Sequence, residues 1–134
     1  MKTRTFAFIT ICVITMLFSA KIKAYYFEQD GIYYNIVSVS DKTCEVTYKD
    51  TGYNSYSGDI TIPSTVTYNT QNVTVVGIGN NAFKNCRNLT SISLPNSLKS
   101  IGVSAFYDCR LLKELKIPKS VTTISGAFYQ LCIN

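Results

Sequence analysis

The chain has 134 residues, a formal net charge of +5, ten tyrosines and neither histidine nor tryptophan. That length holds one small domain at most, and a composition rich in strand formers points to β structure. The charge invites a nucleic-acid reading, but four of the thirteen basic residues (Lys2, Arg4, Lys21, Lys23) fall in the first 24 positions; nine basic and eight acidic groups remain, too even a balance for a nucleic-acid partner.

Residues 1–24 read as a secretory signal peptide. Lys2 and Arg4 give a charged start, Phe6 to Phe18 is an apolar run broken only by threonines and Cys12, and Ala24 stands at a cleavage point before Tyr25. Ala20 is the alternative cut, and a retained anchor is the alternative to cleavage. The run is short for a bilayer, so no stable membrane span is expected after signal removal, and Cys12 lacks a lipobox setting. The expected location is secreted or at the cell surface.

Residues 25–58 alternate apolar and polar side chains and are expected to form an N-terminal β-hairpin cap. Tyr25 to Gln29 and Ile32 to Val39 flank Asp30-Gly31, a pair that tolerates the two positive φ angles of a type I′ turn. Thr43 to Lys49 predicts another strand, with Cys44, Val46 and Tyr48 on one face. A cap of this kind covers the apolar end of whatever repeats follow.

Residues 59–134 repeat. Ile78-Gly79-Asn80-Asn81-Ala82-Phe83-Lys84-Asn85-Cys86 returns 23 residues on as Ile101-Gly102-Val103-Ser104-Ala105-Phe106-Tyr107-Asp108-Cys109. Ile92-Ser93-Leu94-Pro95 returns as Leu115-Lys116-Ile117-Pro118, and a third round opens at Ile124 and reaches Cys132. A fixed period in the low twenties means a solenoid. Leu89, Ile92 and Leu94 give the spacing of one short strand per coil, ended by proline, which has no N–H for a ladder. The Ala-Phe-x-x-Cys segment suits one helical turn with Phe83 and Cys86 facing inward. Ile62-Pro63 and Leu94-Pro95 lie 32 residues apart, nine more than the period, which predicts a hairpin insertion at 67–76 turning at Asn69 to Asn72. Phe128 falls 22 after Phe106, so either Tyr129 takes the phenylalanine slot, the reading favoured by the period, or the chain slips locally.

The pattern L-x-x-I-x-L-P-x-S-L-x-x-I-G-x-x-A-F-x-x-C, carried by Asp59 to Cys132, resembles the BspA-like leucine-rich repeat of mucosa-associated bacteria and protozoa. The resemblance implies a short leucine-rich-repeat solenoid and a secreted or surface-exposed, adhesin-like binding protein for host matrix proteins or other cells. It supplies no catalytic residue.

Other chemistry has little to stand on. Cys86, Cys109 and Cys132 share the period, and stacked equivalents with parallel Cβ vectors are poorly placed for disulfides, so with Cys44 they read as buried thiols. Without histidine, acid–base work and a cysteine nucleophile lack their usual partners; no metal ligands converge, no cofactor motif appears, and the chain reads as no enzyme. A glycan-active carboxylate pair is the distant alternative, with nothing to select the pair. Eight of the ten tyrosines precede the regular repeats and are expected mostly in cross-strand packing, with Tyr53 and Tyr56, on a loop, the candidates for a ligand-facing aromatic platform.

Charge is divided along the chain: residues 25–77 carry two basic and six acidic groups, and residues 78–134 seven basic and two acidic. A basic face for an acidic partner and scattered solubilising lysines are both open readings. The candidate ligand surface is the outward side of the strand ladder, with Asp59, Ser91 and Glu114 in one row and Thr61, Ser93 and Lys116 in another, facing a protein or glycan on a host or neighbouring cell surface. The alternative is a truncated remnant or fragment of a longer surface protein with no function of its own. The repeat asks for a leucine one position beyond Asn134, so the last coil is expected to be incomplete. Its edge at Leu112, Leu115, Ile117, Val121, Ile124 and Phe128 is then expected to fray or to self-associate.

Overall fold

The computed structural model describes residues 24–128. Residues 1–23, with most of the expected signal, and residues 129–134, with Tyr129 and Cys132, lie outside the described residues. The described chain is built of strands without a helix: β1 (Phe27–Gln29), β2 (Ile32–Ser38), β3 (Thr43–Thr47), β4 (Gly58–Thr61), β5 (Thr65–Tyr68), β6 (Gln71–Ile78), β7 (Leu89–Ser93), β8 (Ser100–Ile101) and β9 (Thr123–Ile124). This is the mainly β, short repeat solenoid that the period predicts.

Asp30 and Gly31 turn β1 into β2 with φ of 52° and 78°, as the type I′ pair predicts, and Gln29 faces Ile32 across the turn. β2 runs antiparallel to β3, which then pairs in parallel with β6, so the hairpin is welded to the coils through β3. Asn69 and Thr70, with φ of 48° and 64°, turn β5 into β6. The long β6 carries β5 on the N-terminal half of one edge and β8 on the C-terminal half, with β3 along the other edge.

Two ladders, not one, stack the coils. The expected ladder pairs β4 with β7 in parallel. A second runs β3, β6, β8, β9, setting Val46, Ile78, Ile101 and Ile124 in register. The sequence hint for it is an apolar pair three apart in each coil: Val75 and Ile78, Leu98 and Ile101, Val121 and Ile124. Val75, Ile78, Leu98 and Ile101 are fully buried.

Where the second ladder ends, the coils touch through their backbones. Gly79 N–H donates to the Val46 carbonyl, Gly102 to Ile78 and Ser125 to Ile101, at 2.8, 2.8 and 3.0 Å. A Cβ on Gly102 would lie 2.7 Å from the Asn80 nitrogen, which explains the Ile-Gly dipeptide at 78–79 and 101–102 as a demand for close approach. Asn80 Oδ1 then accepts from the Val103 N–H at 2.8 Å, tying the next coil down.

The Ala-Phe-x-x-Cys segment is not the expected helical turn. It is a run of tight turns broken by left-handed residues at equivalent positions, Asn81 and Asn85 in one coil and Ser104 and Asp108 in the next. The broken geometry frees alternate N–H groups to bond the following coil: Asn81 to Val103, Phe83 to Ala105 and Asn85 to Tyr107, at 2.8 to 3.0 Å. A helix would have spent those donors on itself. Phe83 and Phe106 stack with centroids 5.2 Å apart, and Phe106 and Phe128 at 6.2 Å. Phe128, not Tyr129, therefore holds the slot. The slip is absorbed at Ser125, because Gly126 (φ 55°) stands opposite the left-handed Ser104 and its carbonyl accepts from the Ser104 N–H at 3.2 Å.

Cys44, Cys86 and Cys109 are buried free thiols. Burial pushes Cys86 up to about 11 and Cys44 and Cys109 up to about 12. The thiols of the repeats are not merely apolar filler. Cys109 Sγ–H donates to the Phe83 carbonyl at 3.0 Å and Cys86 Sγ–H to the Tyr53 carbonyl at 3.5 Å, each bonding to the coil before it.

Three outcomes are expected. In the native protein these three thiols should resist an alkylating reagent and react on denaturation without reductant, read by mass. Because the unfolded thiols ionise near their ordinary 9.0 while the buried ones stay protonated to about 11 or 12, stability should fall as pH rises across that window. Gly102→Ala, which drives a methyl into backbone, should cost about 1–3 kcal/mol in denaturant titration.

Candidate functional site

The β4–β7 ladder brings the expected surface residues together. Asp59 pairs with Ser91 and Thr61 with Ser93, and all four are exposed. Between them Ile60 and Ile92 pair inward, so the alternation of the strand sets polar groups out and apolar groups in. Asp59 Oδ1 accepts from Thr90 Oγ1 at 2.7 Å and from Ser91 Oγ at 2.6 Å. Those two hydroxyls, Ser91 foremost, hold the Asp59 carboxyl below its ordinary range, so it is ionised and fixed in place.

Glu114 and Lys116 do not continue the ladder. Residues 112–119 form no strand, and Leu115 and Ile117 are only partly covered, which leaves the segment little burial to hold it in register with β7. A groove of about 560 Å³ opens instead, with Ser91 and Ser93 on one wall and Lys113, Glu114 and Lys116 on the other. Glu114 and Lys116 form an exposed ion pair at 3.4 Å, which contributes little to stability and leaves both heads available. On the cap side, Asp59 and Thr61 line a smaller hollow of about 270 Å³ with Gln29, Asp30 and Tyr34. The Tyr34 hydroxyl is buried without a partner among the described residues, and burial pushes its phenol up.

The loop tyrosines separate. Tyr56, expected on a ligand-facing loop, is only 4% exposed and packs on Phe83 at 4.6 Å as the first ring of the aromatic stack. Its hydroxyl donates to the Thr47 carbonyl and accepts from the Tyr33 N–H at 3.1 Å. A ring so enclosed is chiefly the plug of the first coil, though it also lines the groove beside Asn85 and Arg87. Tyr53 is half-buried, with its edge against Tyr48 at 4.7 Å and the Lys84 ammonium 4.8 Å above its ring.

Sequence reasoning missed the lateral face built by the turns. Asp108, left-handed at the equivalent of Asn85, accepts from Arg87 Nε and Arg110 Nε, both at 2.7 Å. Arg110 and then Arg87 hold its carboxyl below the usual range. Beside them a groove of about 510 Å³ is lined by Asn54, Ser57, Asn85, Arg87 and Asn88. The offset of 23 between Asn85 and Asp108 was visible; the reach of Arg87 across coils was not.

Among the described residues no three His, Cys, Asp or Glu side chains converge to hold a metal ion, and no helix is long and apolar enough to cross a membrane.

Comparison places these features in context. No curated protein matches the chain. A solved leucine rich cell surface protein from Faecalibacterium prausnitzii is similar at 27% identity and a TM-score of 0.61 over 79% of this chain and 28% of its own length. A leucine-rich repeat protein from Bacteroides capillosus is similar at 26% identity and a TM-score of 0.50, over 74% of this chain and 63% of its own. The chain thus spans less than two thirds of either. Residues 49–134 match the BspA type leucine rich repeat region in six copies, and with that match over more than half of its length the chain belongs to the BspA-type leucine-rich-repeat family.

Proposed function

We propose that this protein is a secreted or cell-surface, adhesin-like binding protein without catalytic activity, and that it holds a protein or glycan on the polar face formed by Asp59, Thr61, Ser91, Ser93, Glu114 and Lys116. The single observation that carries the reading is the register of that face: Asp59 opposite Ser91 and Thr61 opposite Ser93, exposed, preorganised by hydrogen bonds and bordering an open groove. Fixed side chains on a rigid ladder lose little entropy when a ligand arrives, which is the advantage of building a site on strands. Signal cleavage after Ala24 or Ala20, and the division into a cap at 25–58 and repeats at 59–134, belong to the same proposal. So does self-association through the β9 edge, where Ile124 is 45% exposed.

The test is a pull-down of the secreted protein against host matrix proteins and glycans, followed by variants on the captured ligand. Ser93→Arg and Lys116→Glu should each weaken binding about tenfold with an unchanged circular dichroism spectrum, since both positions are exposed. Unchanged affinity in both variants would remove this face from the reading.

A further inference from the structure

We propose that the lateral groove beside the turns is a second binding site, separate from the strand face, and that it takes a carboxylate-bearing sugar such as a uronic acid residue of an acidic glycan. Its parts come from two places: Asn54 and Ser57 from the loop before β4, and Asn85, Arg87 and Asn88 from the turns before β7. Among the described residues, Arg87 is the one charged residue lining the groove of about 510 Å³.

Arg87 is held in a particular way. Its Nε donates to Asp108 Oδ2 at 2.7 Å, and no described residue engages its two Nη groups. Asp108 is held in turn by Arg110 Nε at 2.7 Å and Nη2 at 3.4 Å, so the carboxylate sits between two guanidinium groups and the trio keeps a net positive charge. Anchoring one side of a planar guanidinium fixes its orientation while leaving its remaining donors to a ligand. A carboxylate matches those donors in spacing and plane, and a bidentate pair of this kind is the strongest polar contact open to an exposed site. Side-chain exposure of 56% leaves the guanidinium accessible.

The rest of the lining selects a sugar over an acidic peptide. No described residue hydrogen-bonds to the carboxamides of Asn54, Asn85 or Asn88. Each carboxamide donates and accepts, which suits vicinal hydroxyls that do the same. A peptide wants apolar pockets or a strand edge, and the groove offers neither. The neighbouring basic group, Lys84, is held over the rings of Tyr53 and Tyr107 at 4.8 and 5.6 Å, and adds positive potential.

The experiment is calorimetric titration of the whole protein with trigalacturonate, with its carboxyl-reduced neutral counterpart and with an aspartate-rich hexapeptide. Trigalacturonate should bind saturably at millimolar concentration or below, and the reduced sugar and the peptide at least about tenfold more weakly. Arg87→Gln should lose the same factor, and Arg87→Lys should recover only part of it, because an ammonium keeps the charge without the planar donor pair. Asn88→Asp, at an exposed position, places a repelling carboxylate in the groove and should lose binding with its circular dichroism spectrum intact, which keeps the test decisive if Arg87→Gln perturbs the turn. Lys99→Gln, which removes one charge elsewhere, should bind as the parent does. The proposal is overturned by any of four results: no saturable binding of trigalacturonate, equal binding of the reduced sugar, equal binding of the peptide, or an equal loss in Lys99→Gln.

Discussion

The closest approach of one coil to the next, at Gly79 and Gly102, sets the rest of the structure. A solenoid coil this small has no interior of its own, so its apolar edge is buried only by a neighbour at van der Waals distance. At Gly102 that distance leaves no room for a methyl group against the Asn80 backbone. Much else in the repeat holds the two coils at that separation by pairing the donors of one coil with acceptors of its neighbour. The left-handed residues at 81, 85, 104 and 108 turn N–H groups outward along the solenoid axis, Asn80 supplies one acceptor from its side chain, and Cys109 and Cys86 return a thiol proton to a carbonyl of the coil before. The phenylalanine stack then fills the centre, with nearly parallel rings because their carriers are related by translation.

From that spacing the surfaces follow. A translation-related coil presents equivalent side chains in rows, so one outward position of a strand becomes a row of Asp59 and Ser91 and the next a row of Thr61 and Ser93. The same translation on the lateral side puts Asp108 one coil along from Asn85, where Arg87 reaches it. Neither the polar rows nor the Arg87–Asp108 pair needs a dedicated loop. Both are by-products of stacking, and their chemistry is set by the residues that stacking leaves free to vary.

The sequence disclosed what repeats and hid what does not. The 23-residue period made the solenoid, the inward leucines and the exposed rows readable, and Asp30-Gly31 made the hairpin readable, because each rests on a local signal. Tyr56 could not be placed that way. It stands 27 residues before Phe83, a spacing that neither the period nor the nine-residue insertion reproduces, and only the folded chain shows it completing the aromatic stack. The second ladder was missed for a different reason. β8 and β9 are two residues long, and two residues carry no alternation to detect. The expected third strand at 112–117 failed on energetics rather than pattern: Leu115 and Ile117 have the right spacing, but partial cover removes the burial that turns spacing into register.

The break of that third strand changes the shape of the polar face. A continued ladder would have set Glu114 and Lys116 in register beside Ser91 and Ser93, and the polar face would be flat. With the segment released, the wall carrying Lys113, Glu114 and Lys116 stands off from β7 and a groove opens between them. Concave surfaces bury more of a ligand than flat ones, so a weakness in repeat packing supplies the concavity that the proposed site would use. The lateral groove arises in a related way, from the irregular loop at 48–57 that replaces a regular turn in the first coil and leaves space beside Asn85 and Asn88. In both places the regular repeat supplies rigid walls, and a departure from it supplies the room.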